Sequence, residues 1–205
     1  MSKVIVGTFL SLDGVMQGPG GPDEDRSDGF DLGGWLVPHF DEAMGEIIAE
    51  WTQQADALLL GRRTYEIFAA HWPRVGDGDP VAAKLNSMPK YVASRTLDAV
   101  DWSNTTLIEG DVAEAVAELK RQPGTEIQVT GSGDLIQTLM RHDLVDEYRL
   151  WTFPVLLGRG KRLFAGGAMP AGLALTDTKT STTGVVISTY RRSGALEHGS
   201  FALEQ

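Results

Sequence analysis

The chain has 205 residues, of which 42% are hydrophobic and 22% charged, and this composition is typical of one globular domain. It contains no cysteine, which excludes disulfide bonds, thiolate metal sites and a cysteine nucleophile. Its formal net charge of −10 argues against nucleic acid or an anionic membrane as a partner. Without a signal peptide or an apolar run of the ~20 residues that span a bilayer, we expect a cytoplasmic protein with a small-molecule partner.

The first elements are a strand, a long loop and a helix. The run from Val4 to Leu10 is apolar and β-branched, which predicts a strand, and it ends at the turn-forming segment SLDG. The glycine- and acid-rich stretch from Gly18 to Gly34 is predicted to be a loop long enough to act as a lid. A helix is predicted next, because one apolar face recurs at helical spacing in Phe40, Met44, Ile47, Ile48 and Trp51.

Short strands and helices then alternate. The continuous apolar run from Ala57 to Leu60 is typical of a strand buried on both faces, and a helix is predicted from about Thr64, whose hydroxyl can cap it. Residues 76–80 are predicted to be a loop. Further strands are predicted at residues 91–93, 105–108, 127–129 and 148–153, with one helix capped by Asp111 and another that follows Gly133.

The end of the chain changes in character. Leu173 to Thr180 and Val185 to Arg191 flank a Thr-Thr-Gly turn, which predicts a terminal antiparallel hairpin. The alternation of strands and helices predicts an α/β fold with three α/β/α layers and a mixed, mostly parallel sheet. We predict one domain over residues 1–193 and a tail over 194–205.

Three loops that follow predicted strands carry arginine or glycine at positions suited to phosphate. Their sequences are Gly61-Arg62-Arg63-Thr64, Ser94-Arg95-Thr96 and Gly131-Ser132-Gly133-Asp134. Ligands of open α/β sheets bind at the carboxyl ends of strands, where helix N-termini and arginine side chains favour phosphate. Together the loops predict a ligand with several phosphates, such as a dinucleotide. The alternative is that the arginines are solvated and the glycines form ordinary turns. No G-x-G-x-x-G follows the first strand, which argues against a standard Rossmann dehydrogenase.

These loops carry a family resemblance. The segment LGRRTYE at residues 60–66 resembles the G-R-x-T-x-E segment of dihydrofolate reductases. The segment SRTL at 94–97 resembles the second cofactor loop of those enzymes, and GSG at 131–133 resembles their glycine pair. The segments SLDG at 11–14, LVDEY at 144–148 and PVLLGRG at 154–160 resemble more closely the reductase domain of bacterial riboflavin biosynthesis, the RibD C-terminal domain-like family. The resemblance spans roughly residues 3–192.

The resemblance implies a dihydrofolate reductase-like fold, NADPH as the hydride donor and a homodimer. It implies that Arg63 and Thr64 meet the pyrophosphate or adenosine side, that Ser94 and Arg95 meet the 2′-phosphate, and that the third loop holds the pyrophosphate near the nicotinamide half. The full predicted cofactor set is Gly61, Arg62, Arg63, Thr64, Ser94, Arg95, Thr96, Gly131, Ser132, Gly133, Asp134 and Leu135.

On the substrate side, Asp13 and Asp41 are the candidate catalytic acids. Asp13 ends the first strand and either faces the predicted cleft or forms an Asx turn before Gly14. Asp41 is a candidate pterin-binding acid or a favourable charge in a helix first turn. Candidate substrate contacts are Met16, Trp35 and Phe153. Met16 and Trp35, together with Gln17, are candidates to line the pocket as part of a closing lid, with core packing or loop anchoring as the alternative. The basic group Arg159, Lys161 and Arg162 either meets a substrate phosphate or belongs to a solvated loop. The four histidines are scattered, so we predict no metal site.

Several functions stay open. The resemblance favours a reductase of a small heterocyclic substrate, most like 5-amino-6-(5-phosphoribosylamino)uracil reductase. Dihydrofolate reduction is a rival, although the W-x-x-P-x-D pattern of those enzymes is shifted here. Trp35 and Pro38 keep their spacing, but the acid falls one residue late. Reduction of another small molecule on the same fold is a further rival, and a non-catalytic nucleotide-binding module is the alternative from another class. We expect no zinc deaminase half within this chain, because H-x-E and P-C-x-x-C are both missing from it.

Overall fold

A mixed sheet of eight strands forms the centre of the computed structural model, which describes residues 1–76, 78–164 and 169–201. The strands are β1 (Lys3–Ser11), β2 (Ala57–Gly61), β3 (Lys90–Ala93), β4 (Thr105–Ile108), β5 (Glu126–Thr130), β6 (Glu147–Phe153), β7 (Gly172–Thr180) and β8 (Val186–Gly194). The helices are α1 (Glu42–Gln54), α2 (Arg62–His71), α3 (Pro80–Ser87), α4 (Val112–Arg121) and α5 (Gly133–Arg141). Short 3-10 turns occupy Ser27–Gly29, Val37–His39 and Trp72–Arg74.

The strand order is β4-β3-β2-β5-β1-β6-β8-β7. Strands β1 to β6 run parallel, whereas β8 is antiparallel to both β6 and β7. The predicted α/β fold with a mostly parallel sheet and a C-terminal antiparallel hairpin is therefore confirmed. The parallel arrangement brings the carboxyl ends of β1, β2, β3 and β5 to the same edge of the sheet.

The helices cover both faces of the sheet because the central strands are apolar on both sides. On one face, Leu59 of β2 packs in a core with Val116 of α4 and Ile136 of α5. On the other face, Leu58 of the same strand packs with Leu85 of α3. Helix α1 lies beside α3 on this second face. The three layers expected from the sequence are present.

Three elements differ from the sequence-based expectations. Helix α3 was not predicted, although Asp79 caps it by accepting from the backbone N–H groups of Val81 and Ala82 at 2.8 and 2.9 Å. Helix α2 begins at Arg62, so Thr64 lies inside it and does not cap it. Helix α1 begins at Glu42, and Phe40, predicted on its buried face, is 47% exposed. Within the predicted loop 76–80, Asp77 lies outside the described residues.

The predicted C-terminal hairpin is formed by β7 and β8. Strand β8 includes Gly194, which pairs with Gly172, so the last strand extends one residue into the predicted tail. Residues 195–201 have no regular secondary structure, and residues 202–205 lie outside the described residues. Every helix in the described ranges is too short or too polar to cross a membrane.

Candidate functional site

One cleft of about 540 Å³ opens at the carboxyl ends of β2, β3 and β5. The three loops that follow these strands converge on it, because parallel strands deliver their ends to one edge of the sheet. All twelve residues of the predicted cofactor set line this cleft: Gly61, Arg62, Arg63, Thr64, Ser94, Arg95, Thr96, Gly131, Ser132, Gly133, Asp134 and Leu135. The structure thus brings the predicted set together, while its role in binding NADPH stays a prediction.

Side-chain hydrogen bonds tie the first and third loops to each other. The backbone N–H of Gly61 donates to the Ser132 hydroxyl at 2.9 Å, and that hydroxyl donates to the Thr130 carbonyl at 2.9 Å. The backbone N–H of Ser132 in turn donates to the Thr64 hydroxyl at 3.1 Å. Thr64 therefore has a positioning role between the loops, which replaces the helix-capping role predicted for it.

The third loop makes a tight left-handed turn at the cleft floor. Gly131 and Ser132 have φ values of +55° and +61°, a region that favours glycine. A Cβ on Gly131 would lie 3.0 Å from the Thr64 hydroxyl oxygen, so the close contact between the loops requires glycine there. Helix α5 begins immediately afterwards, and its N-cap Ser132 makes no side-chain capping bond. The free N–H groups and positive dipole end of α5 are therefore placed at the cleft.

The second loop presents an arginine to the cleft. The Ser94 hydroxyl accepts from the backbone N–H groups of Thr96 and Leu97 at 3.1 and 3.0 Å, which shapes the turn. Arg95 at the tip of this turn is exposed, and within the described ranges it has no ion-pair partner. Its guanidinium is therefore available to an anionic ligand.

The arginines of the first loop are already paired. Arg62 forms an ion pair with Glu66 one helical turn away at 3.2 Å. Arg63 forms an ion pair with Asp25, which comes from the long loop between β1 and α1. The same Asp25 carboxylate accepts from the Lys161 ammonium at 2.8 Å. The long loop therefore reaches the cleft and contacts its cations.

The expectation that Asp13 faces the cleft is corrected by the structure. Asp13 is absent from the cleft lining, and its carboxylate accepts from the Ser11 hydroxyl at 2.7 Å and from the backbone N–H groups of Leu157 and Gly158 at 3.1 and 2.8 Å. The Arg162 guanidinium forms an ion pair with the Asp13 carboxylate at 3.2 Å. The Ser11 hydroxyl and the Leu157 N–H hold the pKa of Asp13 well below its ordinary value. Asp13 thus joins the turn after β1 to the segment after β6.

Asp41 has a structural role at the start of α1, which agrees with the helix alternative and not with a catalytic acid. It caps α1 by accepting from the backbone N–H of Met44 at 2.9 Å. Its other oxygen accepts from the backbone N–H and the hydroxyl of Thr182 at 2.9 and 2.7 Å. The Thr182 hydroxyl, followed by the Met44 N–H, lowers the pKa of Asp41. The carboxylate joins α1 to the β7–β8 turn, outside the cleft.

The three predicted substrate contacts separate into two groups. Met16 lines the cleft, and its sulfur would lie 3.4 Å from a Cβ placed on Gly133. Trp35 and Phe153 lie instead in an apolar core beneath α1, with ring centroids 5.4 Å apart in an edge-on arrangement. Phe153 is fully buried, and the Trp35 indole N–H donates to the Gln17 carbonyl at 2.8 Å. Packing therefore accounts for Trp35 and Phe153.

Several lining residues were missed by the sequence analysis. The structure adds Thr8 and Phe9 from β1, Ile67 and Phe68 from α2, and Glu24 and Asp25 from the long loop. Gln17, a candidate lining residue from the sequence, also lines the cleft. Burial is the largest influence on Glu24 and raises its pKa. Lys161, one of the basic residues with two open interpretations, also lines the cleft. In the described ranges, no group of three or more acidic or histidine side chains is arranged to hold a metal ion.

The chain has relatives of matching length. Residues 2–188 match the sequence model of a family described as the RibD C-terminal domain. The Bacillus subtilis strain 168 protein YyaP, which is uncharacterized, is 31% identical over 195 residues, covering 94% of this chain and 96% of YyaP. The agreement covers nearly the whole of both chains.

Solved structures share the fold at low sequence identity. A Shewanella sp. PV-4 protein whose name links it to riboflavin biosynthesis superimposes with a TM-score of 0.64 at 23% identity, covering 93% of this chain and 99% of that chain. Enterococcus faecalis dihydrofolate reductase, solved in complex with NADP(H) and RAB-propyl, superimposes with a TM-score of 0.59 at 13% identity, covering 93% of this chain and 96% of that chain. Both structures share the fold of this chain, and the second shows that this fold is dihydrofolate reductase-like.

Proposed function

This chain belongs to the RibD C-terminal domain family, and from that membership we propose that it is an NADPH-dependent reductase of a small heterocyclic substrate. The observation that carries the proposal is the convergence of three phosphate-suited loops on one cleft. A dinucleotide with several phosphates needs anion-binding groups at separated points along one groove. Loops 61–64, 94–96 and 131–135 provide such groups.

The cleft carries cationic groups suited to the phosphates of this cofactor, alongside the carboxylates of Glu24, Asp25 and Asp134. Four cationic side chains line it in a chain whose formal net charge is −10, namely Arg62, Arg63, Arg95 and Lys161. The N-termini of α2 and α5 add positive dipole ends. Arg95, exposed and without an ion-pair partner in the described ranges, is assigned to the 2′-phosphate that distinguishes NADPH from NADH.

In this proposal the protein positions the reactants and excludes water. NADPH, when bound, supplies the hydride. The β2–α2 and β5–α5 loops, held together by Ser132 and Thr64, orient the cofactor phosphates. The part of the cleft lined by Thr8, Phe9 and Met16 accepts the substrate ring against apolar side chains. No nucleophilic side chain is required, because the cofactor carries the reacting bond.

The proposed substrate class is a ribosylamino-pyrimidine, as in 5-amino-6-(5-phosphoribosylamino)uracil reduction. Dihydrofolate is a weaker candidate, because Asp41 caps α1 and joins it to the β7–β8 turn. Binding of NADPH without reduction of any substrate remains the alternative from a different class. The homodimer implied by the family resemblance stays a prediction.

An NADPH-oxidation assay tests this function. Purified protein is mixed with NADPH and either a ribosylamino-pyrimidine, dihydrofolate or a quinone, and NADH serves as the control cofactor. We expect NADPH oxidation with the pyrimidine and much slower oxidation with NADH. Turnover with dihydrofolate alone would replace the proposed substrate. Saturable NADPH binding without turnover on any substrate would favour the binding module, and no NADPH binding would refute the proposal.

A further inference from the structure

The long loop between β1 and α1 holds a carboxylate against two cations of the cleft. Asp25 forms ion pairs with Arg63 and with Lys161, the latter at 2.8 Å. The backbone N–H and hydroxyl of Ser27 also donate to it, at 3.0 and 2.6 Å. The Asp25 side chain is 11% exposed, whereas those of Arg63 and Lys161 are 46% and 45% exposed. An internal carboxylate therefore occupies a position suited to a ligand anion.

We propose that Asp25 competes with a cofactor phosphate for Arg63, so that Asp25 sets the affinity of the cleft for NADPH. This inference rests on the proposed function, which assigns the first loop to the cofactor phosphates. Arg63 would leave Asp25 when the cofactor binds. The exchange forms and breaks only ion pairs and hydrogen bonds.

Asp25 can lose Arg63 without becoming an unpaired buried charge. Lys161 and Ser27 remain on the carboxylate, and they account for most of its contacts. Burial raises the pKa of Asp25, but hydrogen bonds from Lys161 and Ser27 outweigh it, so the pKa lies below its ordinary value. The carboxylate therefore stays charged at neutral pH with or without Arg63.

The loop around Asp25 is anchored independently of Arg63. The Gln17 side-chain amide donates to the Asp25 and Ser27 carbonyls at 3.3 and 3.1 Å. Its carbonyl oxygen accepts from the backbone N–H of Lys161 at 3.0 Å. Through these bonds, Gln17 fixes the backbone at Asp25 and the backbone at Lys161 relative to each other. Only the half-exposed Arg63 side chain has to move when its guanidinium binds a phosphate in place of Asp25.

The cost of this exchange is expected to be modest. Ion pairs between partly exposed side chains contribute little net stability, because water screens both charges. Breaking the contact between Asp25 and Arg63 should therefore reduce NADPH affinity without preventing binding. We expect the competition to weaken binding by about 5-fold.

Titration of NADPH binding to Asp25→Asn tests the competition. The variant keeps the side-chain size but removes the charge that attracts Arg63, so we expect NADPH to bind about 5-fold more tightly than to the wild type. Asp23→Asn is the matched control. It removes one negative charge from the same loop, but Asp23 pairs with Arg26 at 3.2 Å and does not line the cleft. We expect less than about a 2-fold change for this control.

A double-mutant cycle separates competition from a general charge effect. In an Arg63→Gln background, Asp25→Asn should no longer tighten NADPH binding, because the group in competition is absent. An equal gain in both backgrounds would overturn the proposal, as would an unchanged or weaker affinity of Asp25→Asn when the wild type binds NADPH. Thermal melts of all variants check that each is folded. If the wild type itself binds no NADPH, the proposed function fails first and this inference fails with it.

Discussion

Replacing Arg95 with alanine is expected to weaken NADPH binding by about 10- to 100-fold while leaving NADH binding almost unchanged. A charge-assisted hydrogen bond from a guanidinium to phosphate contributes roughly 1.5–3 kcal/mol, which corresponds to this range. Arg95 stands at the tip of a turn shaped by Ser94 and is exposed. Since the 2′-phosphate is the group that NADH lacks, only NADPH should lose an interaction. Calorimetric titration with each cofactor measures the difference.

Two further variants define the role of Arg95. Arg74→Ala removes an exposed arginine outside the cleft lining, so it should leave both affinities unchanged. Arg95→Lys keeps the charge but loses the planar fork, so its NADPH affinity should lie between those of the wild type and Arg95→Ala. Equal losses of NADPH and NADH affinity in Arg95→Ala would reject the assignment to the 2′-phosphate.

The second large effect is expected at Lys90, a fully buried lysine at the start of β3. Its ammonium donates to the Leu85 and Met88 carbonyls at 2.7 and 2.8 Å and to the Asn86 carbonyl at 3.2 Å. It also lies 4.4 Å from the ring centroid of Trp102. Lys90 thus satisfies carbonyls at the C-terminal end of α3 while it holds that end against the sheet.

Lys90→Met should lower the free energy of unfolding by about 2 to 4 kcal/mol at neutral pH, because buried carbonyls lose their donor. Denaturant unfolding measures the loss. Lys179→Met is the matched control, since Lys179 is exposed on β7, and it should change the free energy of unfolding by less than about 0.5 kcal/mol. A wild-type free energy of unfolding in Lys90→Met would contradict this role for Lys90.

The lowered pKa of Lys90 should make the free energy of unfolding depend on pH. Burial lowers the pKa of Lys90 from 10.5 to about 8, so between these values the unfolded chain binds the proton more tightly than the folded one does. The contribution of Lys90 to the free energy of unfolding should therefore rise by about 1 to 3 kcal/mol as the pH increases through this window. The difference between wild type and Lys90→Met isolates this contribution. A difference that stays flat or falls would contradict the lowered pKa.

The sheet and the cleft could be predicted from sequence because their signals are local. The apolar run at 57–60 and the loop at 61–64 are adjacent in the chain, and parallel topology brings the later loops to the same edge. The start of α3 also carried a local signal, Asp79 followed by Pro80, which is a typical N-cap and first helical residue. That helix was therefore predictable, although it was missed.

The local part of a carboxylate's role could be predicted, because Asp41 caps α1 through Met44, as its position before the helix suggested. The tertiary contacts of the carboxylates could not be predicted, because those partners are distant in the chain. Asp13 accepts from the backbone of Leu157, 144 residues later, and Asp41 from Thr182, 141 residues later. Asp25 meets Arg63 across 38 residues, which no spacing rule describes. Only the folded loop places a carboxylate against a cation. A local pattern identifies an acid at the end of a strand, but its tertiary contacts decide whether it is free to act.

A crystal structure of the protein soaked with NADPH would show directly whether the three loops bind one dinucleotide. We expect one NADPH in the cleft, with its 2′-phosphate at Arg95 and its pyrophosphate against the turn at residues 131–135. We also expect that the Arg63 guanidinium has left Asp25 for a phosphate oxygen. NADPH bound elsewhere, or the three loops left without a ligand at saturating NADPH, would show that the cleft is not the cofactor site.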